Sequence, residues 1–164
     1  NMLFFAKCRN VESPFKSTAE AGAWDFCIPN DFVQTMLQPG EGIAIPSGIK
    51  ALVPAGHALI AYNKSGISRN HLIIKTSEFV DSDYHGEIHL AVYNAGKEPF
   101  CLQPGAPLIQ FALHVVNNST YTMIDQDTFN KLAKLCGGER DEMSFGEATR
   151  AFMQKRLRVK QKRK

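Results

Sequence analysis

Short apolar runs separated by turn-forming residues are the feature that most constrains the fold of this chain. From Met2 to about Val116 each run is only a few residues long and is broken by Gly, Pro, Asn or Asp. Runs of this length suit strands, and frequent turns let successive strands pair. The pattern predicts a mainly β domain, a sandwich or barrel. The expected strands are 42–45, 57–62, 71–80, 86–94 and 108–116.

The character of the sequence changes after Asn118. Apolar residues recur at helical spacing between 125 and 135, behind the capping acid Asp125. We predict a helix there and a second helical stretch that begins near Ser144 or Glu147. The chain is therefore expected to have three parts: a β domain (1–118), a helical C-terminal segment (119–149) and a basic tail (150–164).

Charge is distributed unevenly along the 164 residues. Residues 150–164 hold eight Lys or Arg and no acid, so the remainder carries eleven basic and sixteen acidic groups, a balance of −5. An acidic body argues against a surface built throughout for nucleic acid. The tail itself allows two readings. A solvated end is favoured over contact with nucleic acid or a nuclear-import signal, which would place the protein in the nucleus.

No apolar run approaches the length that a bilayer-spanning helix needs, so we expect no membrane association. The four cysteines are widely scattered without metal-ligand spacing. Such spacing favours reduced thiols over disulfides, and with them an intracellular, cytoplasmic protein.

The stretch from Val80 to Ile88 (VDSDYHGEI) concentrates chemistry in a predicted bend between two strands. We expect the bend to form a hairpin with Asp81 and Tyr84 close together at its mouth. A carboxylate held there can act as a general base, and a neighbouring ring can pack against a sugar or a base. An ordinary acidic turn remains the alternative for this stretch alone.

The order of the surrounding segments resembles that of a known family. Gly22–Phe26 (GAWDF), Lys64–Gly66 (KSG), Val80–Ile88 and Gly105–Phe111 (GAPLIQF) follow one another like the first four sequence blocks of the trimeric dUTPases, the deoxyuridine triphosphate nucleotidohydrolases. The resemblance covers about residues 22–113. It implies a distorted jelly-roll barrel with short C-terminal helices, assembly as a homotrimer, and hydrolysis of dUTP to dUMP and pyrophosphate.

The same resemblance implies roles for individual residues. Asp81 matches the aspartate that activates the water attacking the α-phosphorus, and Tyr84 matches the ring that packs on the deoxyribose. Ser65, Gly66 and Gln110 match groups that contact phosphate oxygens. Mg²⁺ is expected as the cofactor, carried by the triphosphate, so no side chain is expected to bind metal directly.

Three residues depart from the family blocks around the substrate. Lys64 stands where the family has arginine; it keeps the charge and loses the bidentate fork. Lys75 and Glu78 replace an asparagine and a glycine in the base-binding segment. Either they read a different base, Lys75 as a donor and Glu78 as an acceptor, or they point outward while the backbone reads uracil.

The fifth family block is the weakest match. Residues 140–146 (RDEMSFG) keep the spacing from arginine to Phe-Gly and lose most of the glycines. By resemblance, Arg140 would reach the γ-phosphate and Phe145 would stack over the base. The alternative is that Phe145 packs on a C-terminal helix.

Other polar residues near these blocks are expected to have structural roles. We predict that Asp25 satisfies backbone donors near the site and that His71, His85 and His89 are solvated or packed. Two alternatives to dUTP hydrolysis stay open. One is the same hydrolysis of another or a modified deoxynucleotide; the other is an inactive dUTPase fold that regulates or binds a partner.

Overall fold

A computed structural model describes residues 2–76, 79–136, 150 and 154. The chain divides into two compact units, Asn1–Asn118 and Ser119–Lys164. The first unit contains all the described strands and one short helix, and the second contains the described part of a helical segment. The prediction of a mainly β fold is confirmed.

The strands and helices are listed here in chain order. The strands are β1 Phe4–Lys7, β2 Trp24–Cys27, β3 Thr35–Leu37, β4 Gly42–Pro46, β5 Ile49–Leu52, β6 His57–Asn63, β7 Ile73–Lys75, β8 Phe79–Val80, β9 His89–Asn94, β10 Phe100–Leu102 and β11 Pro107–Val115. The helices are α1 Ser65–His71 and α2 Gln126–Leu135. The predicted strands 42–45, 57–62 and 108–116 are confirmed to within one residue at each end.

All strand pairs are antiparallel, and two sheets carry the site. The larger has the order β2-β11-β6-β8, and the other has the order β4-β9-β7. Two further pairs, β1-β5 and β10-β3, complete the described sheets. Because β11 lies between β2 and β6, its alternate side chains face either the core or the opposite side of the sheet.

The core is formed by the inward-facing apolar side chains of these strands. Phe26 and Phe111 are 1% and 2% exposed and their ring centroids lie 4.5 Å apart. Cys27 is buried next to them, and burial raises the pKa of its thiol. Alternation along β2 and β11 therefore fixes which residues remain on the outer face.

A short, regular helix follows β6. Residues Ser65–His71 form α1, and the Lys64 carbonyl accepts the N–H groups of Ile67 and Ser68 at 3.1 and 2.9 Å. The helix ends at Leu72, whose backbone is left-handed at φ 54°, with its N–H bonded to the Ser68 carbonyl. Hydrophobic periodicity is read over windows longer than this helix, so it does not detect a helix of seven residues.

The single strand predicted for 71–80 is wrong. His71 ends α1, β7 pairs with β9, and β8 pairs with β6 in the other sheet. The strand predicted to begin at 86 begins at His89. Residues 81–88, called the Asp81 loop below, therefore lead from one sheet to the other, so they are not a simple hairpin turn. β7 and β9 do pair antiparallel, so the chain turns back between them, with β8 and the Asp81 loop in the connection.

The Asp81 loop is closed by its own hydrogen bonds. The Tyr84 N–H donates to the Asp81 carbonyl at 3.2 Å, which confirms that Asp81 and Tyr84 lie close together. The Tyr84 hydroxyl donates to the Glu87 carbonyl at 2.8 Å. A Cβ on Gly86 would lie 2.6 Å from that hydroxyl oxygen, so only glycine lets the ring lie against the backbone.

A carboxylate then fastens the loop to the rest of the domain. Glu87 Oε1 accepts from Arg9 Nε at 2.5 Å and from the Gly48 N–H at 2.8 Å, and Oε2 accepts from Arg9 Nη2 at 3.1 Å. We call these three residues the Glu87 clamp. Gly48 has φ +74°, and a Cβ there would lie 2.9 Å from the Cβ of Arg9. The clamp thus needs glycine at 48.

Backbone bonds reinforce the clamp on either side of Glu87. Ser47 N–H donates to the Ile88 carbonyl, and Ile88 N–H donates to the Ile49 carbonyl, both at 2.9 Å. Ser47 is fully buried and its hydroxyl accepts the Ile49 N–H. The end of the Asp81 loop is therefore part of the packed domain.

The predicted helix at 125–135 is confirmed as α2. Its N-cap Asp125 accepts the Thr128 N–H at 2.7 Å, the side-chain capping bond that the sequence indicates. Within the described ranges, no helix is long and apolar enough to cross a bilayer.

The clamp predicts a pH-dependent stability. The Arg9 guanidinium, with the Gly48 N–H, holds the pKa of Glu87 below its ordinary value of 4.5. Stability from this carboxylate is therefore full above the unfolded-state pKa and is lost as pH falls through the lowered folded-state pKa. Glu87→Gln should cost about 1 kcal/mol of unfolding free energy at pH 7, after allowance for solvent screening.

Urea unfolding of both proteins at pH 7 and at successively lower pH measures this effect. The difference between them should shrink as pH falls below the ordinary glutamate value of 4.5 and through the lowered folded-state pKa of Glu87. Glu20→Gln, at an exposed glutamate, serves as the control and should match the wild type. A Glu87→Gln difference that persists unchanged in acid would contradict the ion-pair account.

Candidate active site

The outer face of the larger sheet brings together residues from several of the sequence blocks. In the register of β2, β11 and β6, Gln110 lies opposite Asp25 on one side and opposite Tyr62 on the other. Directly opposite residues share a face of the sheet. Asp25, Gln110 and Tyr62 therefore form a row across three strands.

Asp25 forms an ion pair at one end of this row. Its Oδ2 accepts from Lys64 Nζ at 2.7 Å, with the two side chains 10% and 25% exposed. The prediction that Asp25 satisfies backbone donors is wrong for its side chain, since the carboxylate binds the ammonium of the second block. Asp25 pairs with Phe15 through its backbone. This contact joins the first block to the second.

A cavity of about 500 Å³ lies beside this row. We call it the site cavity. Its walls come from β6, β7, β11 and the residues just before β2, namely Gly22, Ala23, Tyr62, Asn63, Lys75, Gln110, Ala112 and His114. Cavities of this size hold small-molecule ligands in many proteins.

Hydrogen bonds tie the polar walls of the site cavity to one another. Gln110 Nε2 donates to the Asn63 carbonyl at 2.7 Å, and Asn63 Oδ1 accepts the Lys75 N–H at 2.7 Å. Lys75 therefore lies in the same cavity as Gln110. Contact of Lys75 with a base stays a prediction.

Ser65 and Gly66 are the first two residues of α1 and are both exposed. They directly follow Lys64, the partner of Asp25. N–H groups in the first turn of a helix lack intrahelical partners. No neighbouring atom lies within 4 Å of a Cβ built on Gly66, so the fold itself leaves room for a larger residue there.

Asp81 and Tyr84 occupy a different part of the surface. Asp81 is exposed and follows Val80, which is 7% exposed. The Tyr84 side chain is also exposed, although its hydroxyl is bonded within the Asp81 loop. Neither residue lines the site cavity. One chain thus presents the predicted base and sugar-packing ring apart from the cavity that holds Gln110.

Three predicted site residues, Glu78, Arg140 and Phe145, lie outside the described residues. The histidines fit the expectation of solvated or packed side chains. The His71 ring lies 5.2 Å from that of Phe100, His89 Nδ1 contacts the Glu87 carbonyl at 3.1 Å, and His85 is exposed.

Sequence reasoning missed several residues that shape the site. Glu87 lies within the third block, yet its long-range partners Arg9 and Gly48 are not visible from spacing along the chain. Tyr62 and His114 also line the site cavity and went unassigned. Alternation along β11, which puts Gln110 and His114 on one face, was the available signal for His114.

The donor set around the site cavity suits an anion better than a bare cation. Its polar groups are amides, a hydroxyl, an imidazole and an ammonium. Across the described ranges, no three His, Cys, Asp or Glu side chains lie close enough together to hold a metal ion. Direct protein ligands for a metal are therefore not identified in this part of the chain.

Comparisons with known proteins agree with the order of the sequence blocks. A family model described as dUTPase matches residues 9–140. The deoxyuridine 5′-triphosphate nucleotidohydrolase of Chlamydia pneumoniae is 33% identical over 104 residues, which is 62% of this chain and 71% of that protein. The protein of that name from Fusobacterium nucleatum is 32% identical over 108 residues, 65% of this chain and 68% of its own length.

Solved structures show the same fold. The dUTPase of Staphylococcus bacteriophage 80alpha with dUPNHPP aligns with a TM-score of 0.75 at 15% identity, over 90% of this chain and 98% of that one. The dUTPase of phage phi11 of S. aureus gives 0.69 at 14% identity, over 77% and 98%. The mainly β, jelly-roll-like fold is thereby confirmed.

The family match runs through most of the chain and includes both the Asp81 loop and the strands around the site cavity. This chain aligns with more than two-thirds of the length of the two relatives that are about one-third identical to it. The chain is therefore a member of the dUTPase family, a family of nucleotide hydrolases.

Proposed function

We propose that this protein hydrolyses dUTP to dUMP and pyrophosphate, by attack of an Asp81-activated water on the α-phosphorus. The observation that carries the proposal is the construction of the Asp81 loop. An exposed carboxylate and an exposed ring are held on a segment that is clamped by Glu87 and closed by Tyr84. Hydrolysis needs such a fixed base because misplacement of the attacking water is costly.

Tyr84 is proposed to pack against the deoxyribose. Its hydroxyl is bonded to the Glu87 carbonyl and its ring lies over Gly86, so the ring cannot move aside for a larger sugar without breaking that bond. A rigid ring discriminates against an added hydroxyl by steric exclusion. Selection of 2′-deoxy substrates follows from this arrangement.

The phosphates are proposed to bind the residues around Gln110. Lys64 supplies a cation, although its ammonium is shared with Asp25. Ser65, Gly66 and Gln110 offer a hydroxyl, backbone N–H groups and an amide. Donors fixed before the reaction stabilise the charge that develops on the phosphoryl oxygens.

Mg²⁺ is proposed to enter with the triphosphate. Bound to phosphate oxygens, it would neutralise part of their negative charge. The amide, imidazole and ammonium groups around the site cavity fit the anionic side of such a complex. A mutant form of the phage phi11 dUTPase coordinates a structural Mg(II) ion, so a protein of this fold does bind the metal.

A homotrimer is proposed to complete the site. Asp81 and Tyr84 do not line the cavity that holds Gln110, so a second copy would have to bring its Asp81 loop to it. Ile74 and Tyr93, cross-strand partners on β7 and β9, are 37% and 38% exposed. Such an exposed apolar pair suits contact between copies.

Residues of the fifth block are proposed to contribute to substrate binding. Residues 119–149 would act as a segment distinct from the β domain 1–118, with Arg140 at the γ-phosphate and Phe145 over the base. The basic tail 150–164 is proposed to remain a solvated end. Glu78 is proposed to act with Lys75 near the base.

A second candidate is the same hydrolysis of another deoxynucleoside triphosphate. It is favoured by the position of Lys75 in the wall of the site cavity, because an ammonium there donates to a carbonyl where asparagine offers both a donor and an acceptor. A preference for a triphosphate other than dUTP would favour this candidate.

Replacement of Asp81 tests the proposed base. Asp81→Asn should lower kcat by about 10²- to 10⁴-fold, because the amide cannot take a proton from water. Stability should be unchanged, since Asp81 is exposed and its carbonyl, which the Tyr84 N–H binds, is retained. Asp31→Asn removes another exposed carboxylate and should keep wild-type kcat. Rapid turnover by Asp81→Asn would remove Asp81 from this role.

Replacement of Gly66 separates substrate binding from folding. Gly66→Ala should keep or slightly raise stability, because a Cβ there meets nothing and alanine favours a helix by about 1 kcal/mol. The same methyl group should obstruct a phosphate close to the backbone and raise KM for dUTP several-fold. Thermal unfolding and initial-rate kinetics measure the two effects. An unchanged KM would place the phosphates away from Gly66.

A further inference from the structure

Tyr62 and His114 form a pair in the wall of the site cavity that the proposed chemistry does not use. Tyr62 Oη lies 3.0 Å from His114 Nε2, and the two ring centroids are 5.7 Å apart. Both side chains line the same cavity as Gln110 and Lys75. The pair is therefore a prearranged polar group beside the proposed phosphate site.

The strand register explains how this pair reaches the cavity. Gln110, Ala112 and His114 alternate along β11, so their side chains share one face. Tyr62 on β6 lies directly opposite Gln110, and Ala112 is the small residue between the two polar ones. Gln110 and His114 are four residues apart, or roughly 13 Å along the strand.

The charge of the cavity wall favours an anion. Among the described residues, no Asp or Glu lines the cavity, and Lys75 lines it from β7. The nearby carboxylate of Asp25 on β2 is paired with Lys64. Within the described part of the chain, Tyr62 from β6 is the titratable group that contacts His114 directly. Protonation of His114 would add a donor and a positive charge to this wall.

We propose that the Tyr62–His114 pair is a proton-dependent anion-binding element that holds the pyrophosphate part of the nucleotide. The inference rests on the proposed function and extends it to a binding pair outside the sequence blocks. The bound species would be the polyphosphate of the substrate or free pyrophosphate as product.

Protonation changes what the pair can donate. Either neutral tautomer of His114 leaves the pair one donor for an anion: the Nδ1–H when Nε2 accepts from the Tyr62 hydroxyl, or the Tyr62 O–H when Nε2–H donates to Oη. In the imidazolium, Nε2–H donates to Tyr62 Oη, which releases the hydroxyl hydrogen. Both Nδ1–H and the Tyr62 O–H can then donate to phosphate oxygens. Histidine is the side chain that undergoes this change between pH 5 and 8.

Calorimetric titration with inorganic pyrophosphate tests this proposal directly. Wild type and His114→Gln are compared with each other at pH 6 and again at pH 8. At each pH the two proteins meet pyrophosphate in the same ionisation state, so a difference between them comes from the protein. We expect His114→Gln to bind about tenfold more weakly than wild type at pH 6 and within about twofold of it at pH 8. Tyr62→Phe keeps the ring and the imidazolium but removes the hydroxyl donor, so it should show part of the loss at pH 6.

The matched control is His57→Gln. His57 lies on β6 of the same sheet, with Nδ1 contacting the Ala55 carbonyl, and does not line the site cavity. It should bind pyrophosphate like the wild type at both pH values. Equal binding by wild type, His114→Gln and Tyr62→Phe at pH 6 would overturn the proposal. A loss of the same size at both pH values would overturn it too, since no proton would then be involved.

The outcome can be separated from a failure of the proposed function. Pyrophosphate binding is measured without turnover, and dUTP hydrolysis by the wild type is assayed in the same preparations. A pH-dependent loss of pyrophosphate binding without any hydrolysis would support the anion site and reject the reaction. Normal dUTP hydrolysis by the wild type, together with unchanged pyrophosphate binding by His114→Gln, would support the reaction and reject the anion site.

Discussion

The geometry of the Asp81 loop depends on the hydrogen bonds that the Glu87 carboxylate accepts. This carboxylate accepts hydrogen bonds from Arg9, which follows β1, and from the Gly48 N–H between β4 and β5. The Asp81 loop runs between two different sheets, so neither sheet alone would fix its path. A charge-assisted contact from a third part of the domain supplies the missing restraint. The exposed Asp81 and Tyr84 can then be held still without being buried.

A second constraint comes from the position of β11 between β2 and β6. Phe111 points into the core against Phe26, and the neighbouring Gln110 consequently points to the outer face between Asp25 and Tyr62. The strand that builds the core therefore also positions the proposed phosphate ligands. In a sheet, a shift of one residue in register would exchange these roles. Packing of the core and placement of the site are thus one structural requirement.

Much of this arrangement could be predicted from local patterns in the sequence. The long strands β6 and β11, the helix behind Asp125 and the proximity of Asp81 to Tyr84 all follow from spacing and turn residues. The split of residues 71–80 into α1, β7 and β8 could not, because pairing with two different partners outweighs local propensity. The ion pair of Lys64 with Asp25 joins residues far apart in sequence. Pairings of that kind are set by the tertiary fold.

In this member of the dUTPase family, Asp81 and Tyr84, the proposed base and sugar-packing ring, lie on a clamped loop apart from the cavity that Gln110 lines. Our central proposal is that together they hydrolyse dUTP. The measurement that tests it most directly is pyrophosphate release by the wild-type protein with Mg²⁺ and each deoxynucleoside triphosphate in turn. The account predicts release from dUTP at a kcat/KM at least about tenfold above that for any other triphosphate, since mispaired polar groups are costly in a site built for one base. No release from any of them would contradict it, and would favour a protein that uses this fold to bind a partner.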